Sequence, residues 1–359
     1  MKKGWSYKEF GDCVDKVPKQ KQVKSKDYQS SGKFPIVSQE KDLISGYWDD
    51  ESYLYKHEKP IIIFGDHTKE IKFIDFDFVV GADGTQILSP KEGLNAKFFY
   101  YALLATPIRS LGYARHFKLL KEKTFPIPSL SEQERIVERL DAAFAQIDEL
   151  KNNAERQLAE ARALFQSALT QAMQPKPGWQ EKNFGDVCSY YKEQAIHHDK
   201  IFVGMENIES GTGRLLGYQD SNEIGSASFK FSKGDVLYGR LRPYLRKVII
   251  ADFDGCCSTE IFPIRSNEVE PKFIKYWFLT DVITNMINDT SAGCRMPRGN
   301  MNEVKKFLFS FPKEKTEQQQ ITSNLDLLSN HVRELEEINR KTVAECDALK
   351  QALLRQIFE

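Results

Sequence analysis

Two stretches in the second half of the sequence are rich in cations and hydrogen-bonding groups. The segment RLRPYLRK (240–247) places four cationic side chains around a Pro-Tyr turn, and GCRMPRGN (293–300) adds two arginines and an asparagine. Lysine and arginine bind phosphates, arginine pairs with the edge of guanine, and asparagine pairs with adenine. Both segments predict contact with nucleic acid, and a solvated basic turn is the alternative. The residues concerned are Arg240, Arg242, Arg246, Lys247, Arg295, Arg298 and Asn300.

Three stretches in the first half have a similar composition: SQEK (38–41), HTKEIK (67–72) and GYARHFK (112–118). The last of them lies just before Phe125-Pro126, as the Arg295 loop lies just before Phe311-Pro312, so we expect the two loops to be counterparts. For His67, an equally good interpretation is a loop histidine whose ring is hydrogen-bonded within the protein. The predicted contacts here are Gln39, Lys41, His67, Lys69, Lys72, Arg115, His116 and Lys118.

No arrangement of residues in the sequence is typical of a catalytic centre. GTGRLLG (211–217) resembles a dinucleotide-binding loop, but its third glycine comes one residue late and its context favours a β-hairpin. The sequence has no GxxxxGK(S/T) phosphate loop, no NPPF-type or DPPY-type run of adenine methyltransferases and no obvious PD…ExK nuclease pattern. We therefore expect a chain without catalytic residues, a bound metal or a cofactor of its own.

The cysteines also speak against a metal site. They form no CxxC pair and no His/Cys cluster at metal spacing, so zinc binding and a disulfide scaffold are both disfavoured. Buried thiols are the expected state. The six residues are Cys13, Cys188, Cys256, Cys257, Cys294 and Cys346.

The overall charge of zero conceals an uneven distribution. Residues 131–173 and 316–359 each carry eight acidic and five basic side chains, so the rest of the chain holds 41 Lys/Arg against 35 Asp/Glu. That net charge of +6 modestly favours contact with a polyanion. No run of 18 apolar residues and no apolar leader occurs, so a cytoplasmic protein without membrane contact is expected.

The sequence contains an internal repeat. GWSYKEFGDC (4–13) returns as GWQEKNFGDVC (178–188), and AKFFYYALL (96–104) is echoed by PKFIKYWFL (271–279). Both of the latter have apolar residues at helical spacing, whereas IIIF (61–64), FIDFDFVV (73–80), VLYG (236–239) and VIIA (248–251) are typical of strands. We therefore predict two similar domains of mixed α/β class.

Each repeat ends in a long amphipathic segment. Ser131 with Glu134 and Thr316 with Gln319 have the spacing of capping boxes, which predicts helices over 131–173 and 316–359. The domains are then 1–130 and 179–315, with 174–178 as a linker. A 3.5-residue period predicts a coiled coil. Its expected interface residues are Ile136, Leu140, Ile147, Leu150, Leu164, Ile321, Leu325, Leu328, Val332, Leu335, Leu349 and Leu353.

Small or polar residues interrupt both apolar seams at the same place. They are Ala154 and Gln157 in the first helix, and Asn339 and Thr342 in the second. In an antiparallel pair these midpoints meet, where polar groups set register at some cost in stability. Antiparallel pairing also predicts a pseudo-twofold molecule with one domain at each end of a helix pair roughly 64 Å long. Such an arrangement matches two half-sites on duplex DNA.

The whole chain resembles the specificity subunits of type I restriction-modification systems. The resemblance is most specific in PIPSLSEQERIVERLD (126–141), the helix leading to LTQAM (169–173) and the Gly178-Trp179 start of the second domain. VLYGRLRPYLR (236–246) with STE (258–260), and FGDH (64–67) with FVVGAD (78–83), look like the cores of target recognition domains.

This resemblance implies a non-catalytic subunit that reads a bipartite site in double-stranded DNA, with the paired helices setting the spacer. It also implies two modification (methyltransferase) subunits and added restriction (motor-nuclease) subunits as partners. S-adenosylmethionine and ATP with Mg would be held by those partners. The alternative from another class is a non-catalytic coiled-coil scaffold that joins two protein-binding domains. A scaffold explains the helices equally well but not the basic loops.

Overall fold

The computed structural model describes residues 4–112, 114–195, 201–291 and 295–359. It separates into unit 1, Met1–Asn153 with Lys341–Glu359, and unit 2, Ala154–Arg340. The long helices α4 (Leu130–Met173) and α9 (Lys315–Phe358) each contribute a segment to both units. Among the described residues, every helix is too short or too polar to span a bilayer.

Unit 1 contains a small mixed α/β domain. Its short helices are α1 (Phe10–Cys13), α2 (Ala96–Ala105) and α3 (Phe117–Lys121). Its strands are β1 (Ser6–Glu9), β2 (Val14–Asp15), β3 (Gln22–Lys24), β4 (Phe34–Val37), β5 (Gly46–Trp48), β6 (Leu54–Tyr55), β7 (Ile61–Gly65), β8 (Ile71–Ile74), β9 (Phe78–Ala82), β10 (Thr85–Pro90) and β11 (Thr124–Ile127).

Strand β7 explains how the layers of unit 1 stack. It lies in a sheet of order β2-β10-β7-β8, and all five of its residues are buried. Ile62 and Phe64 pack with the core around α2, whereas Ile61 and Ile63 pack toward the sheet formed by β5, β4, β9, β3 and β6. The run IIIF is apolar without alternation because both faces of this strand are covered.

Unit 2 contains a second domain with a matching design. Its short helices are α5 (Phe184–Val187), α6 (Pro271–Leu279), α7 (Asp281–Asp289) and α8 (Met301–Val304). Its strands are β12 (Gln180–Asn183), β13 (Cys188–Tyr190), β14 (Ile201–Val203), β15 (Gln219–Asp220), β16 (Ser228–Phe231), β17 (Val236–Gly239), β18 (Val248–Ile250), β19 (Gly255–Ser258), β20 (Ile261–Ser266) and β21 (Leu308–Phe311).

The strand order confirms the duplication. The sheet β13-β20-β17-β18 repeats β2-β10-β7-β8, and β15-β14-β19-β16 repeats β5-β4-β9 with β6. The antiparallel pair β12–β21 likewise repeats β1–β11. The predicted strands and the two predicted core helices are present, with one correction. FIDFDFVV is not one strand, because the chain turns at residues 75–77 between β8 and β9.

The long helices begin slightly earlier than the capping boxes predicted. The first amides of α4 donate to the carbonyl of Ser129, and those of α9 donate to the carbonyl of Glu314. Ser131 and Thr316 therefore lie inside the first turn, and the predicted capping role of their side chains is wrong. The observed helix bounds differ from 131–173 and 316–359 by one residue.

Within each unit, the segments of α4 and α9 run antiparallel. In unit 1, Lys151 pairs with Asp347 at 3.3 Å, and Lys350 with Asp148 at 2.5 Å. In unit 2, Arg162 pairs with Glu336 at 2.7 Å. The residue numbers of each pair add to 498, so both units follow one antiparallel register. These contacts confirm the predicted direction of pairing.

The apolar seam departs from the predicted positions. Leu150, Leu164 and Leu349 are exposed, at 55%, 64% and 50%. Their neighbours Lys151, Phe165 and Lys350 are half-buried instead, and Leu354 is buried beside a half-buried Leu353. An α-helix has 3.6 residues per turn, so positions assigned with a strict 3.5-residue repeat move gradually away from its buried face. At these three places the predicted position is therefore one residue before the residue that is half-buried.

The remaining predicted interface positions are at least half-buried. Four of these side chains are buried: Ile136, Leu140, Ile147 and Leu325. Four others are half-buried: Ile321, Leu328, Val332 and Leu335. Leu140 and Leu354 belong to the core of unit 1, and Leu169 and Leu325 to the core of unit 2.

The polar interruption is real in α9 but not in α4. Gln157 is exposed, which corrects its assignment to the seam. Asn339 is half-buried, and its Nδ2 has no hydrogen-bond partner among the described residues. An amide in this position costs stability because it has lost water without gaining a partner.

Replacing this amide is expected to stabilise the protein. Asn339→Leu should raise the free energy of unfolding by about 1 kcal/mol, since it removes an unpaired buried polar group from an apolar seam. Thermal melting would measure the change. Asn324→Leu, at an exposed position of the same helix, is the control and should leave the melting temperature nearly unchanged. A lower melting temperature for Asn339→Leu would contradict this account.

A buried glutamine fixes each long helix to the domain before it. The Gln133 amide accepts from the backbone N–H of Asn95 at 2.8 Å and donates to the carbonyl of Pro128 at 3.0 Å. In unit 2, Gln318 accepts from Glu270 N–H at 2.8 Å and donates to Pro312 at 2.8 Å. The repeated glutamine is thus a joint between helix and domain.

A carboxylate further along each long helix, about two turns after the glutamine, makes a second joint. Asp326 accepts from the Tyr276 hydroxyl and from Lys272, both at 2.6 Å. Asp141 receives the same two groups, the Tyr101 hydroxyl and Lys97, the latter at 2.8 Å. Burial opposes ionisation of Asp326, but its hydrogen bonds outweigh burial and lower its pKa. The repeated Lys-Tyr-Asp spacing is therefore structural.

Loss of a glutamine joint is expected to be costly. Gln318→Leu leaves a buried N–H and a buried carbonyl without partners, so the free energy of unfolding should fall by at least about 2 kcal/mol. Gln320→Leu is the matched control, because Gln320 is exposed two residues away. Chemical denaturation would compare the two variants. Equal stability of both would refute the proposed joint.

Five cysteines behave as predicted. Cys13, Cys188, Cys256, Cys257 and Cys346 are buried free thiols, and Cys294 lies outside the described residues. Burial raises the pKa of Cys13 to about 11 and that of Cys188 to about 12. The thiols of Cys13 and Cys188 are therefore protonated and unreactive near neutral pH.

Candidate nucleic-acid interface

In unit 1, three loops meet at the residue that follows strand β7. Asp66 is buried, and its N–H donates to the carbonyl of Gly84 at 2.8 Å. Its carbonyl accepts from His116 N–H at 2.8 Å, and its carboxylate accepts from Phe117 N–H at 2.8 Å. These bonds hold the loop that carries Arg115 against the ends of β7 and β10.

In unit 2, Arg240 occupies the corresponding position after strand β17. Its N–H donates to the carbonyl of Glu260 at 2.9 Å, and its carbonyl accepts from Gly299 N–H at 2.9 Å. Gly299 therefore corresponds to His116, and Arg298 corresponds to Arg115. The geometry confirms the expectation that these two loops are counterparts.

The charges around the two loops are arranged differently. Glu260 binds both Arg240 and Arg298, at 2.9 and 2.8 Å. Burial opposes ionisation of Glu260, but the hydrogen bonds from the two arginines prevail and lower its pKa. In unit 1 the acid is Asp66, which lies 3.9 Å from Arg115. The fold conserves the loop position while the side chains that surround it differ.

Most of the predicted contact residues are at the surface. Seven are exposed: Lys41, Arg115, Lys118, Arg242, Arg295, Arg298 and Asn300. His67, Lys69 and Arg240 are half-buried around the same turns. The Asn300 side chain also accepts from Asn302 N–H at 3.1 Å, so it caps α8 at the edge of the loop.

Three predicted contacts are wrong, because these side chains face inward. Gln39 is 9% exposed and accepts from His67 N–H at 3.0 Å. Lys72 is 6% exposed and donates to the carbonyls of Ser38 and Asp42. His116 is fully buried, with Nε2 bonded to Leu111 N–H at 2.9 Å and Nδ1 to the Asp66 carbonyl at 3.0 Å. All three stabilise loops and are not available to a ligand.

Two further cations are half-buried and engaged within unit 2. Arg246 pairs with Asp281 at 2.5 Å, and its backbone is left-handed with φ at 49°. Lys247 donates to the carbonyl of Met205 at 2.6 Å. In this structure they shape the 240–247 turn, which leaves Arg242 and the exposed Tyr244 at its surface.

The sequence reading missed the acidic residues that organise these loops. Asp66 lies in the FGDH segment and Glu260 in the STE segment, and neither was predicted to have a role of its own. Lys16 and Lys19 were also missed, and they line a cleft of about 520 Å³ together with Arg115. A cluster of Lys and Pro at 16–19, close after the first repeat motif, was the available signal.

Comparison with known proteins identifies the family of the duplicated fold. A family model described as the type I restriction modification DNA specificity domain matches residues 2–160 and again residues 176–345. Each match takes in one domain and part of the long helix that follows it. The chain belongs to this family.

Two relatives in the family are type I restriction enzyme specificity subunits from Escherichia coli. The chain is 27% identical to the EcoDI subunit over 271 residues, which is 65% of this chain and 61% of that subunit. It is 30% identical to the EcoR124I/EcoR124II subunit over 142 residues, covering 36% and 35%. The chain thus spans about three fifths of the first relative.

Two solved structures share the specificity-domain fold. One, from work on complex assembly and conformational transition of the type I R-M system, aligns with a TM-score of 0.70 at 17% identity, covering 98% and 97% of the two chains. The HsdS subunit from Thermoanaerobacter tengcongensis aligns with a TM-score of 0.50 at 18% identity, covering 100% and 97%. Both support the mixed α/β fold with long helices.

Proposed function

We propose that this protein is the specificity subunit of a type I restriction-modification complex, and that each domain reads one half of a bipartite site in duplex DNA. The observation that carries the proposal is the equivalence of the Arg115 and Arg298 loops. Both are fixed by backbone hydrogen bonds to the residue after equivalent strands, β7 and β17, and both present an exposed arginine. A loop with the same fixed backbone but different side chains suits two domains that recognise different DNA sequences.

The exposed cations supply the general part of DNA binding. Lys41, Arg115 and Lys118 in unit 1, and Arg242, Arg295 and Arg298 in unit 2, are available to phosphates or to guanine edges. A protein scaffold does not need such loops. The same positions therefore favour the DNA-binding candidate over the scaffold.

We further propose that the chain is not itself catalytic and acts by directing partner subunits. Two modification subunits would contact it and supply adenine methyl transfer with S-adenosylmethionine. Motor-nuclease subunits, with ATP and Mg, would join that complex. The paired segments of α4 and α9 would set the spacer between the half-sites.

Selection from a random duplex pool tests the DNA-binding function. The purified chain, alone and with its co-purified methyltransferase, would be mixed with the pool at low salt, and bound DNA would be sequenced. We expect a bipartite motif with a fixed gap, and binding that weakens steeply as salt rises. An Arg115→Ala/Arg298→Ala double variant should lose the motif. Absence of any enrichment at low salt would favour the scaffold.

A further inference from the structure

Unit 2 contains a second polar site, away from the Arg298 loop. It is a cleft of about 660 Å³ beneath the turn of residues 210–214, and we call it the hairpin cleft. Its other walls come from α6 and from the segments of α4 and α9 in this unit. The volume is in the range of sites for small organic ligands.

The turn over the cleft is the hairpin that the GTGRLLG motif suggested. Ile208 and Leu215 form an antiparallel bridge, and Glu209 N–H donates to the Arg214 carbonyl at 2.9 Å. Gly213 has φ of +69°, and a Cβ there would lie 3.3 Å from Lys275 Cδ. Glycine therefore lets the turn approach Lys275 closely.

The cleft has an excess of positive charge. Five cationic side chains line it, against the two carboxylates Asp326 and Glu336; the cations are Arg162, Arg214, Lys272, Lys275 and Arg333. Glu336 pairs with Arg162 and Arg214, at 2.7 and 3.0 Å, and Arg214 also pairs with Glu209 at 2.5 Å. Asp326 pairs with Lys272 at 2.6 Å. Among the described residues, no carboxylate forms an ion pair with Lys275 or Arg333.

These two cations differ in their surroundings. Arg333 is exposed at the mouth, whereas Lys275 is half-buried, with Nζ 4.4 Å from the centre of the Tyr276 ring. Burial lowers the pKa of Lys275, and the nearby Asp326 only partly opposes that change. An anion beside Lys275 would compensate for the water it has lost.

The lining contributed by α4 and α9 also offers apolar and amide groups. Phe165 and Val332 line it, and Gln166 lies beside Phe165. The Oε1 atom of Gln166 is buried without a hydrogen-bond partner among the described residues. A buried acceptor of this kind is costly. Because Gln166 lines the cleft, rotation of its amide toward the cleft would let the N–H group of a ligand satisfy it.

We propose that the hairpin cleft binds a small nucleotide, with its phosphate at Lys275 and Arg333 and its base against Phe165 and the Gln166 amide. A nucleotide carries both an anion for the two unpaired cations and a planar ring with N–H donors for Phe165 and Gln166. The site is concave and of limited volume, which favours a free nucleotide over the backbone of a duplex as the source of phosphate.

Calorimetric titration of the full chain without DNA tests this proposal, so its outcome is separate from that of DNA recognition. The probes are adenosine 5′-monophosphate, guanosine 5′-monophosphate, adenosine and inorganic phosphate. We expect at least one monophosphate to bind more tightly than adenosine or phosphate alone. Arg333→Ala and Lys275→Met should each weaken that binding by at least about tenfold.

Arg340→Ala is the matched control, because Arg340 is exposed on the same helix seven residues from Arg333 and does not line the cleft. It should bind the nucleotide like the parent protein. Thermal melting in the absence of ligand would confirm that all variants are folded. Failure of both monophosphates to bind at millimolar concentration would overturn the proposal, as would equal binding by Arg333→Ala and Arg340→Ala. If Arg333→Ala weakened binding of duplex DNA but not of the monophosphates, the cleft would be a contact for the DNA backbone, and the nucleotide proposal would be wrong.

Discussion

Removing one heptad from each long helix, residues 154–160 and 338–344, is expected to shorten the gap between the recognised half-sites by about three base pairs. The two segments have the same length and follow the antiparallel register that the Lys151–Asp347 and Arg162–Glu336 pairs define within their own units. Seven residues span about 10 Å, and a base pair rises about 3.4 Å. Seven residues are also close to two full turns, so the faces of the helices stay aligned.

Methylation mapping of DNA from cells that express the variant with its methyltransferase would measure the gap. The half-site sequences themselves should not change. The control keeps the helix length and replaces exposed residues of the same heptads, such as Gln157 and Arg340, by alanine. That control should retain the original gap. An unchanged gap in the double deletion would refute the proposed spacer role of the helices.

Arg298→Ala is expected to weaken binding to the complete site by roughly 5- to 150-fold, which corresponds to about 1–3 kcal/mol for a base-reading arginine. The loss should concern only the half-site read by unit 2, because Arg298 and its partner Glu260 both belong to that unit. Competition binding with duplexes altered in one half-site at a time would separate the two halves.

Arg298→Lys distinguishes two roles for this side chain. Lysine keeps the charge but not the forked donor geometry, so it should preserve a phosphate contact and lose a guanine contact. Lys233→Ala is the control, as Lys233 is an exposed cation on another turn of unit 2. Equal effects of Arg298→Ala and Lys233→Ala would rule out a specific role for the loop.

The joints between helices and domains require the same residue types in both repeats. Gln133 and Gln318, and Asp141 and Asp326, recur since each satisfies buried backbone or hydroxyl groups. What they bind lies far away along the chain, so the sequence revealed their repetition but not their partners.

The inward-facing residues were harder to predict. Arg115 and His116 are adjacent and both polar, yet one is exposed and the other fully buried. The bonds from Asp66 and Leu111 decide which of them turns inward, and those depend on tertiary structure. Likewise, Leu150 and Leu164 matched a seven-residue pattern, but the true period of the helix moved the seam to their neighbours.

Unit 1 combines residues 1–153 with residues 341–359, so its two parts are synthesised at different times. The ring centres of Phe358 and Phe98 lie 5.3 Å apart, and Leu354 is buried in the same core as Leu140. A ribosome adds these residues only after it has made all of 154–340, so the first domain to emerge is the last to complete its core. The aromatic contact between Phe98 and Phe358 therefore forms only after α9 has been synthesised, so the core of unit 1 depends on the last residues to be added.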